Sequence, residues 1–307
     1  MVKNCNIEVE SLAQELLTLR DCVRWAVSQF NAHGLFFGHG TNNSLDEAVN
    51  LVLFALHLPA DIPEDLWASR LTLQERCVIF NLLKQRIEKR LPLNYLTHQA
   101  WFAGLEFYVD ERVLIPRSPI SELIENGFEP WLATENILRV LELGTGSGCI
   151  AIATALHLPN VVVDAVDISE QALSVARQNV EKYDLTEHVN LLKGDLFSPL
   201  KDTTYNLVIS NPPYVDAQAL ANMPDEFHHE PLLGLAAGDD GLDIVRRILR
   251  EASDFLSDDG VLIIEVGASQ MALTEAYPLV PFLWLEFVNG GEGVFLLTAE
   301  QLKEHEF

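Results

Sequence analysis

The stretch E-L-G-T-G-S-G at residues 142–148 decides the fold. It lies between an apolar run and the helix-like C-I-A-I-A at residues 149–153, which predicts a glycine-rich loop joining a strand to a helix. Glycines remove side chains that would keep a ligand away from the backbone, and the helix N-terminus offers unpaired amides to an anionic group. A dinucleotide-binding fingerprint needs its third glycine where Cys149 stands, so the spacing disfavours a nicotinamide cofactor.

Outward from this loop, short apolar segments alternate with helix-length segments. The predicted strands are residues 137–143, 161–168, 189–192, 207–210 and 261–266, followed by an antiparallel pair at 282–288 and 294–298 around a Gly290-Gly291 turn. This alternation predicts an α/β fold with a doubly wound sheet of seven strands.

The chain before the sheet has a different periodicity. Apolar residues recur at helical spacing from residue 11 to residue 90, which predicts a small helical domain. Two of its helices are expected to begin with capping boxes, at Ser44-x-x-Glu47 and at Thr72-x-x-Glu75.

Residues 101–115 change toward alternation around a turn-like Asp110-Glu111, which predicts a hairpin between the two parts. Three segments are therefore expected. They are a helical domain at residues 1–95, a hairpin linker at 96–118 and the α/β domain at 119–307.

Composition places the chain among folded proteins. With 307 residues, 49% of them hydrophobic, it can bury a large core. The first residues lack the apolar core of a signal peptide, and the apolar run 51–58 is too short to span a bilayer, so we expect no membrane partner and a cytoplasmic location. The cysteines show no metal-like or disulfide-like spacing: Cys5, Cys22, Cys77 and Cys149.

The formal net charge of −25 bears on the partner. It would repel a phosphate backbone, so we expect no direct DNA binding and an electrostatically easier, basic partner; the alternative is that the acidity serves solubility alone. A row of cations predicts a solvated helix face in preference to an RNA-binding patch: Lys84, Arg86, Lys89 and Arg90.

Two acidic residues at strand ends complete the predicted cofactor site. Asp167 ends the second strand of the sheet, 23 positions after Gly144 (167 − 144), where a carboxylate can accept hydrogen bonds from both ribose hydroxyls. Asp195 ends the third strand and is placed to meet an adenine amino group. Together with the glycine loop, these acids favour a nucleoside ligand. The candidate cofactor-binding residues are Glu142, Gly144, Thr145, Gly146, Gly148, Asp167, Asp195 and Asn211.

The segment Asn211-Pro212-Pro213-Tyr214 follows the next predicted strand. An amide or exocyclic amino nitrogen is a poor nucleophile because its lone pair is delocalised. The side-chain oxygen of Asn211 and the carbonyl of Pro212 can accept its two N–H groups and aim the lone pair at a sulfonium methyl. The prolines stiffen the turn, and Tyr214 offers a flat face to the planar group. The segment therefore predicts methyl transfer from S-adenosylmethionine, with Asn211, Pro212 and Tyr214 as the catalytic residues.

Taken together, these features resemble the bacterial N(5)-glutamine methyltransferases, which modify the glutamine of a Gly-Gly-Gln sequence. The resemblance covers residues 90–300. The branch that acts on peptide chain release factors usually carries Pro-Arg-Pro and an acid-Thr-Glu run after the hairpin. Here I-P-R-S-P-I stands at residues 115–120, and this segment, with L-A-A-G-D-D-G-L-D at 235–243 and P-F-L-W-L-E-F at 281–287, looks like the branch that acts on large-subunit ribosomal protein uL3.

The resemblance implies a Rossmann-like methyltransferase sheet, S-adenosylmethionine as cofactor, and a basic ribosomal protein as partner, free or within an assembling large subunit. It also implies that residues 1–95 recognise the substrate. Phe102 would line the glutamine pocket beside Tyr214, and Arg117 would help to close the site. The family's glycine loop usually opens with Asp where Glu142 stands in this chain.

Three alternatives stay open. The substrate could be a glutamine of release factors, or the adenine N(6) of DNA or RNA, although enzymes of the latter kind need a basic cleft. The chain could also be a non-catalytic assembly factor that only binds the cofactor. No metal is expected at His228-His229-Glu230, because ligands adjacent in sequence seldom converge on one ion.

Overall fold

A computed structural model of the protein describes residues 8–158, 160–201 and 203–307. The chain divides into two units. The first contains the described residues up to Gln99 together with Pro224–His229, and the second contains Ala100–Met223 and Glu230–Phe307. Cys5 lies outside the described residues.

The first unit is helical, as predicted. Its α-helices are α1 (Val9–Glu15), α2 (Leu19–Ala32), α3 (Ser44–Ala55), α4 (Leu73–Lys89) and α5 (Leu93–Thr97), with 3₁₀ turns at Glu64–Ala68 and Asp225–His229. Its core includes the fully buried side chains of Phe30, Leu51 and Phe80. Over the described ranges, every helix is too short or too polar to cross a membrane.

Capping explains where two of these helices begin. The predicted box at Thr72 and Glu75 is present at the start of α4, whereas the predicted box at Ser44 is wrong. The side-chain oxygen of Asn43 accepts from the amides of the first turn of α3 instead, at 3.0 and 2.9 Å. Glu47 is unavailable for capping because its carboxylate turns inward and binds the buried Arg86.

Arg86 also corrects the expectation of a solvated cationic face on α4. Its guanidinium is 1% exposed and makes ion pairs with Glu47 at 2.5 Å and Glu226 at 3.3 Å. Nη2 donates to the carbonyl of Phe36 at 2.8 Å. Arg90 binds Glu226 as well, at 3.0 Å. These cations hold the helical unit together, since a buried charge is stable only when it is paired.

The strands of the described residues lie in the second unit: β1 (Ala100–Phe102), β2 (Leu105–Phe107), β3 (Arg139–Leu143), β4 (Val162–Asp167), β5 (Val189–Lys193), β6 (Tyr205–Ser210), β7 (Leu256–Glu265), β8 (Leu283–Trp284) and β9 (Val294–Thr298). Its α-helices are α6 (Ile120–Glu125), α7 (Cys149–His157), α8 (Glu170–Lys182), α9 (Ala217–Ala221), α10 (Asp243–Glu251), α11 (Gln270–Ala276) and α12 (Ala299–Glu304). Short 3₁₀ turns lie at Thr134–Asn136, Leu232–Gly234, Ala252–Asp254 and Gly267–Ser269.

The hairpin of β1 and β2 is shorter than predicted, and its turn is not at Asp110-Glu111. The turn residues are Ala103 and Gly104, both at positive φ (47° and 72°). Such a turn matches the twist of the two strands, but alanine is not the residue that usually signals it. Asp110 instead accepts from the backbone and guanidinium of Arg112 at 3.1 and 2.8 Å.

The seven-stranded sheet has the order β5-β4-β3-β6-β7-β9-β8 and confirms the predicted doubly wound α/β fold. Strands β3 to β7 are parallel, whereas β9 pairs with β7 and β8 antiparallel. The chain leaves β3 toward one edge of the sheet and returns through β6 toward the other. The switch point therefore lies between the carboxyl ends of β3 and β6, which is where ligands bind in such sheets.

Both faces of the sheet are buried. Val140 and Ile209 belong to one apolar cluster, whereas their neighbours Leu141 and Val208 belong to the cluster on the opposite face. Strands covered on both sides read as continuous apolar runs, which is why the sequence predicted them. At the switch point, Leu143 pairs with Ser210, so the two predicted motifs begin side by side.

Candidate active site

A cavity of about 430 Å³ opens at the carboxyl ends of β3 to β6. This volume lies within the usual range for small-molecule sites, about 300–1,000 Å³. The predicted site residues that line it are Glu142, Gly144, Thr145, Gly146, Asp167, Asp195, Asn211, Pro212, Pro213 and Arg117. The lining does not include Gly148, Tyr214 or Phe102.

The three glycines of the loop have positive φ for different reasons. At Gly144 and Gly146 (φ 75° and 55°), an added Cβ would meet nothing within 4 Å. The backbone there faces open space, so a ligand can approach it closely. At Gly148 (φ 81°), an added Cβ would lie 3.3 Å from Ala176 and from Ile152. Gly148 therefore allows α7 to pack closely against its neighbours. This packing role explains why Gly148 does not line the cavity.

Glu142 is a buried acid at the wall of the cavity. Its Oε2 accepts from the hydroxyl of Thr145 at 2.6 Å and from the amide of Ala151 at 3.0 Å. Burial raises the pKa of this carboxyl from 4.5 to about 8. Throughout the described residues no group donates to Oε1. A cationic amino group in the cavity would compensate the buried charge, so the residues here fit the amino-acid end of S-adenosylmethionine.

Asp167 joins the glycine loop to the end of β4. Its Oδ2 accepts from the amide of Gly146 at 2.8 Å, and its Oδ1 accepts from the amide of Ser169 at 2.8 Å. Burial raises the pKa of this carboxyl as well. Each oxygen keeps a second lone pair, so the carboxylate can still accept from ligand hydroxyls.

Asp195 follows β5 at the other end of the cavity. Its Oδ2 forms an ion pair with Arg247 at 2.8 Å, and both side chains are partly exposed. Arg247 was not predicted and also lines the cavity. This ion pair could not be predicted from the sequence, because Arg247 lies on α10, 52 positions after Asp195.

The segment after β6 is held by its neighbour strand. The hydroxyl of Ser210 donates to the carbonyl of Leu143 at 2.7 Å, which fixes the end of β6 against β3. Asn211 comes next and is partly buried. Within the described part of the chain, no group hydrogen-bonds to the Asn211 side-chain amide or to the Pro212 carbonyl. Two acceptors are thus available side by side at the cavity wall.

The side chain of Tyr214 is hydrogen-bonded to an acid at the end of β7. Its hydroxyl donates to Oε1 of Glu265 at 3.0 Å, and the hydroxyl of Ser118 donates to Oε2 of the same carboxylate at 2.5 Å. Glu265 is the last residue of β7 and was not predicted. The available signal was the same as for Asp167, namely an acid that ends a parallel strand.

Phe102 and Arg117 line a second cavity of about 410 Å³, bounded also by Trp101 and the turn at residues 289–291. Arg117 lines both cavities. Arg117 is thus common to both cavities, whereas Phe102 lines the second.

Arg117 is held by the acid of the His228-His229-Glu230 segment. Its guanidinium donates to both oxygens of Glu230, at 2.6 and 2.8 Å. The neighbouring His229 hydrogen-bonds instead to the carbonyl of Lys89 at 2.8 Å. Among the residues that the structure describes, no group of three or more His, Cys, Asp or Glu side chains could hold a metal ion.

Comparisons with known proteins point to methyl transfer. Residues 129–229 match the family model described as methyltransferase small domain. The chain is 47% identical over 297 residues to the ribosomal protein uL3 glutamine methyltransferase of Francisella tularensis subsp. tularensis, covering 96% of this chain and 95% of the relative. It is 49% identical over 292 residues to the protein of the same name from Neisseria gonorrhoeae, covering 94% of this chain and 97% of the relative.

Solved structures are more distant. The delta-N METTL16 MTase domain is 19% identical with a TM-score of 0.47, covering 64% of this chain and 89% of that one. The hMettl16 catalytic domain in complex with a MAT2A 3'UTR hairpin is 17% identical with a TM-score of 0.49, covering 78% and 87%. The fold assignment rests on the sheet order of this chain itself.

Proposed function

The chain belongs to the family of ribosomal protein uL3 glutamine methyltransferases, and on this premise we propose that it methylates the side-chain amide nitrogen of a glutamine in uL3. Methyltransferases of this fold use S-adenosylmethionine. The reaction forms a bond between the methyl carbon and the amide nitrogen while the bond from that carbon to the sulfonium sulfur breaks, with its electron pair left on sulfur, and one N–H proton leaves.

One observation carries the proposal. The Asn211 side-chain amide and the Pro212 carbonyl have no hydrogen-bond partner in the described chain and lie together at the cavity wall. A primary amide presents two N–H groups, and these two acceptors can take both. Holding the nitrogen in one orientation can supply about 7–11 kcal/mol of the barrier. The two prolines keep the acceptors in place because their φ angles are fixed.

No side chain is assigned as a general base. Positive charge that develops on the nitrogen is met by the two fixed oxygen dipoles, and preorganised dipoles of this kind stabilise a transition state without rearrangement. The proton can leave after methyl transfer, when the nitrogen has become more acidic. Such a mechanism fits this cavity wall, because the two prolines have no N–H groups and the wall presents hydrogen-bond acceptors to the substrate amide.

The cofactor residues follow from the first cavity. When bound, S-adenosylmethionine supplies a methyl group on a sulfonium sulfur. Glu142 would face the amino group, and the bare backbone of Gly144 and Gly146 would lie against the ligand. Asp167 would accept from the ribose hydroxyls and Asp195 from the adenine amino group.

The substrate is a polypeptide, and the acidity of the enzyme suits a basic one. The net charge of −25 favours encounter with a cationic ribosomal protein. Phe102 and Arg117, at the second cavity, would contact the chain on either side of the glutamine. We place the reaction in the cytoplasm, on uL3 either free or within an assembling large subunit.

The proposal is tested with purified enzyme and cofactor labelled in its methyl group. The substrates are uL3 from cells that lack the enzyme, a peptide chain release factor and duplex DNA. We expect label in uL3, in an amount that approaches one methyl per chain, and at most trace label in the other two. Label that enters DNA and is removed by nuclease, or a release factor that is methylated faster than uL3, would overturn the assignment.

A further inference from the structure

Glu265 is a buried acid with no part in the chemistry described so far. It ends β7, is 5% exposed, and receives one hydroxyl on each oxygen: Tyr214 on Oε1 at 3.0 Å and Ser118 on Oε2 at 2.5 Å. Burial raises its pKa. Burying a carboxyl costs free energy unless its oxygens are hydrogen-bonded, and here the donor to Oε1 belongs to the Asn211–Tyr214 segment.

The ring of Tyr214 is held on another side by a glycine. Gly267 has φ 46°, and a Cβ added there would lie 2.6 Å from the ring carbon Cε2 of Tyr214. Any other residue at this position would push the ring aside. The ring therefore packs directly against the backbone that follows β7.

The backbone of Tyr214 is fixed as well. Its carbonyl accepts from the hydroxyl of Ser269 at 2.8 Å. At Gly241 (φ 76°), an added Cβ would overlap both this carbonyl oxygen and the Ser269 hydroxyl. Contacts with Glu265, Gly267 and Ser269 thus fix three parts of one residue.

The prolines explain why the side chain needs such support. Pro212 and Pro213 restrict their own φ angles but leave the χ angles of Tyr214 free. A phenol that donates into a buried carboxylate is restricted in χ1, because rotation about χ1 would carry the hydroxyl away from Oε1 of Glu265. The packing of the ring against Gly267 restricts χ2.

We propose that Glu265, held by Ser118, is a positioning residue that fixes Tyr214 and through it the geometry of the acceptors at Asn211 and Pro212. This inference rests on the proposed function. Glu265 does not touch the substrate; it acts through the Tyr214 hydroxyl. The effect of removing its charge must therefore depend on that hydroxyl.

A double-mutant cycle tests this dependence. Glu265→Gln, Tyr214→Phe and the double variant are compared with wild-type enzyme for kcat and KM on uL3 and for cofactor affinity, with the exposed Glu275→Gln as control. We expect kcat to fall roughly tenfold in each single variant, as for one hydrogen bond to a charged group, with unchanged cofactor affinity. The double variant should be no slower than the singles. Multiplied losses in the double variant, or full activity of Glu265→Gln, would overturn the inference.

A second measurement does not depend on the substrate. Fluorine NMR of enzyme labelled with 3-fluorotyrosine reports the Tyr214 ring, with its signal assigned by loss in Tyr214→Phe. We expect Glu265→Gln and Ser118→Ala to shift this signal and narrow it, as the ring becomes mobile, and to leave the other tyrosine signals in place. An unmoved Tyr214 signal contradicts the inference. If wild-type enzyme fails to methylate uL3, the proposed function is contradicted, but the fluorine signals of the variants can still be compared.

Discussion

The hydroxyl of Thr145 donates to Oε2 of Glu142 across 2.6 Å, and both side chains are buried where β3 enters the glycine loop. Because burial raises the pKa of Glu142 to about 8, this carboxyl is mostly protonated at pH 7 in the free enzyme. The amino group of the cofactor would favour its charged form.

Cofactor binding at pH 7 is therefore expected to release a proton, and the Glu142→Gln variant should lose this release. Isothermal calorimetry in buffers of different ionisation enthalpy measures it directly. Glu181→Gln, on the exposed side of α8, is the control and should behave like wild type. An identical proton count for wild type and Glu142→Gln would show that Glu142 does not face the amino group.

The same pKa predicts how stability depends on pH. The folded-state pKa of Glu142, about 8, lies above its ordinary value of 4.5, so its contribution is complete below pH 4.5 and is lost as pH rises toward 8. Across that window the free energy of unfolding should fall by about 1.4 kcal/mol per pH unit on account of this group. Urea denaturation of cofactor-free enzyme from pH 5 to pH 8 should show Glu142→Gln gaining on wild type. A constant difference between the two proteins would contradict the raised pKa.

Two glycines of the loop should fail in different ways when changed to alanine. Gly148→Ala places a methyl 3.3 Å from Ala176 and should cost about 1–3 kcal/mol of stability beyond the backbone strain. Gly146→Ala meets no protein atom but enters the cofactor space, so it should weaken cofactor binding more than folding. Gly104→Ala, also at positive φ with open space around it, controls for backbone strain alone. Denaturation measures the stability of each variant, and titration measures its affinity for the cofactor. A larger loss of stability in Gly146→Ala, or a larger loss of affinity in Gly148→Ala, would contradict the two roles.

In the helical unit, Arg86→Met should cost about 3–5 kcal/mol, because it leaves the buried carboxylate of Glu47 without its cationic partner and leaves Glu226 with Arg90 alone. Lys84→Met on the same helix removes a partly exposed pair with Glu88 at 3.9 Å and should cost less than about 1 kcal/mol. Denaturation of both variants measures the contrast. Equal losses of stability in Arg86→Met and Lys84→Met would mean that the buried ion pairs of Arg86 add no more than the pair of Lys84.

Much of this fold was predictable because apolar periodicity records burial directly. The strands buried on both faces, such as β3 and β6, appeared as continuous apolar runs, and their alternation with helices indicated a doubly wound sheet. The order of the strands was not predicted, because alternation alone does not determine it. A helix cap was predictable where the capping residues have no competing partner elsewhere in the described chain, as at Thr72 and Glu75. The capping prediction was wrong at Ser44, because Asn43 caps α3 and Glu47 binds Arg86, which lies 39 positions away.

The site was predictable where residues act at strand ends and not where they act through a third group. The glycine loop, Asp167 and Asn211 stand next to strands in the sequence and meet at one cavity. Glu265 ends a strand as Asp167 does, but its hydrogen bond to Tyr214, 51 positions away, could not be predicted, and Glu230 was recognised only through Arg117, 113 positions away. Sequence spacing carries no information about such long-range hydrogen bonds.

The central claim is that Asn211 holds the glutamine amide for methylation. Tandem mass spectrometry of uL3 after reaction with wild type, Asn211→Ala and the exposed control Asn222→Ala tests it most directly. We expect one peptide to gain a methylene on a glutamine side-chain nitrogen with wild type and Asn222→Ala, and none with Asn211→Ala, although that variant still folds and binds cofactor. A methyl group on any other residue type, or undiminished glutamine methylation by Asn211→Ala, would contradict it.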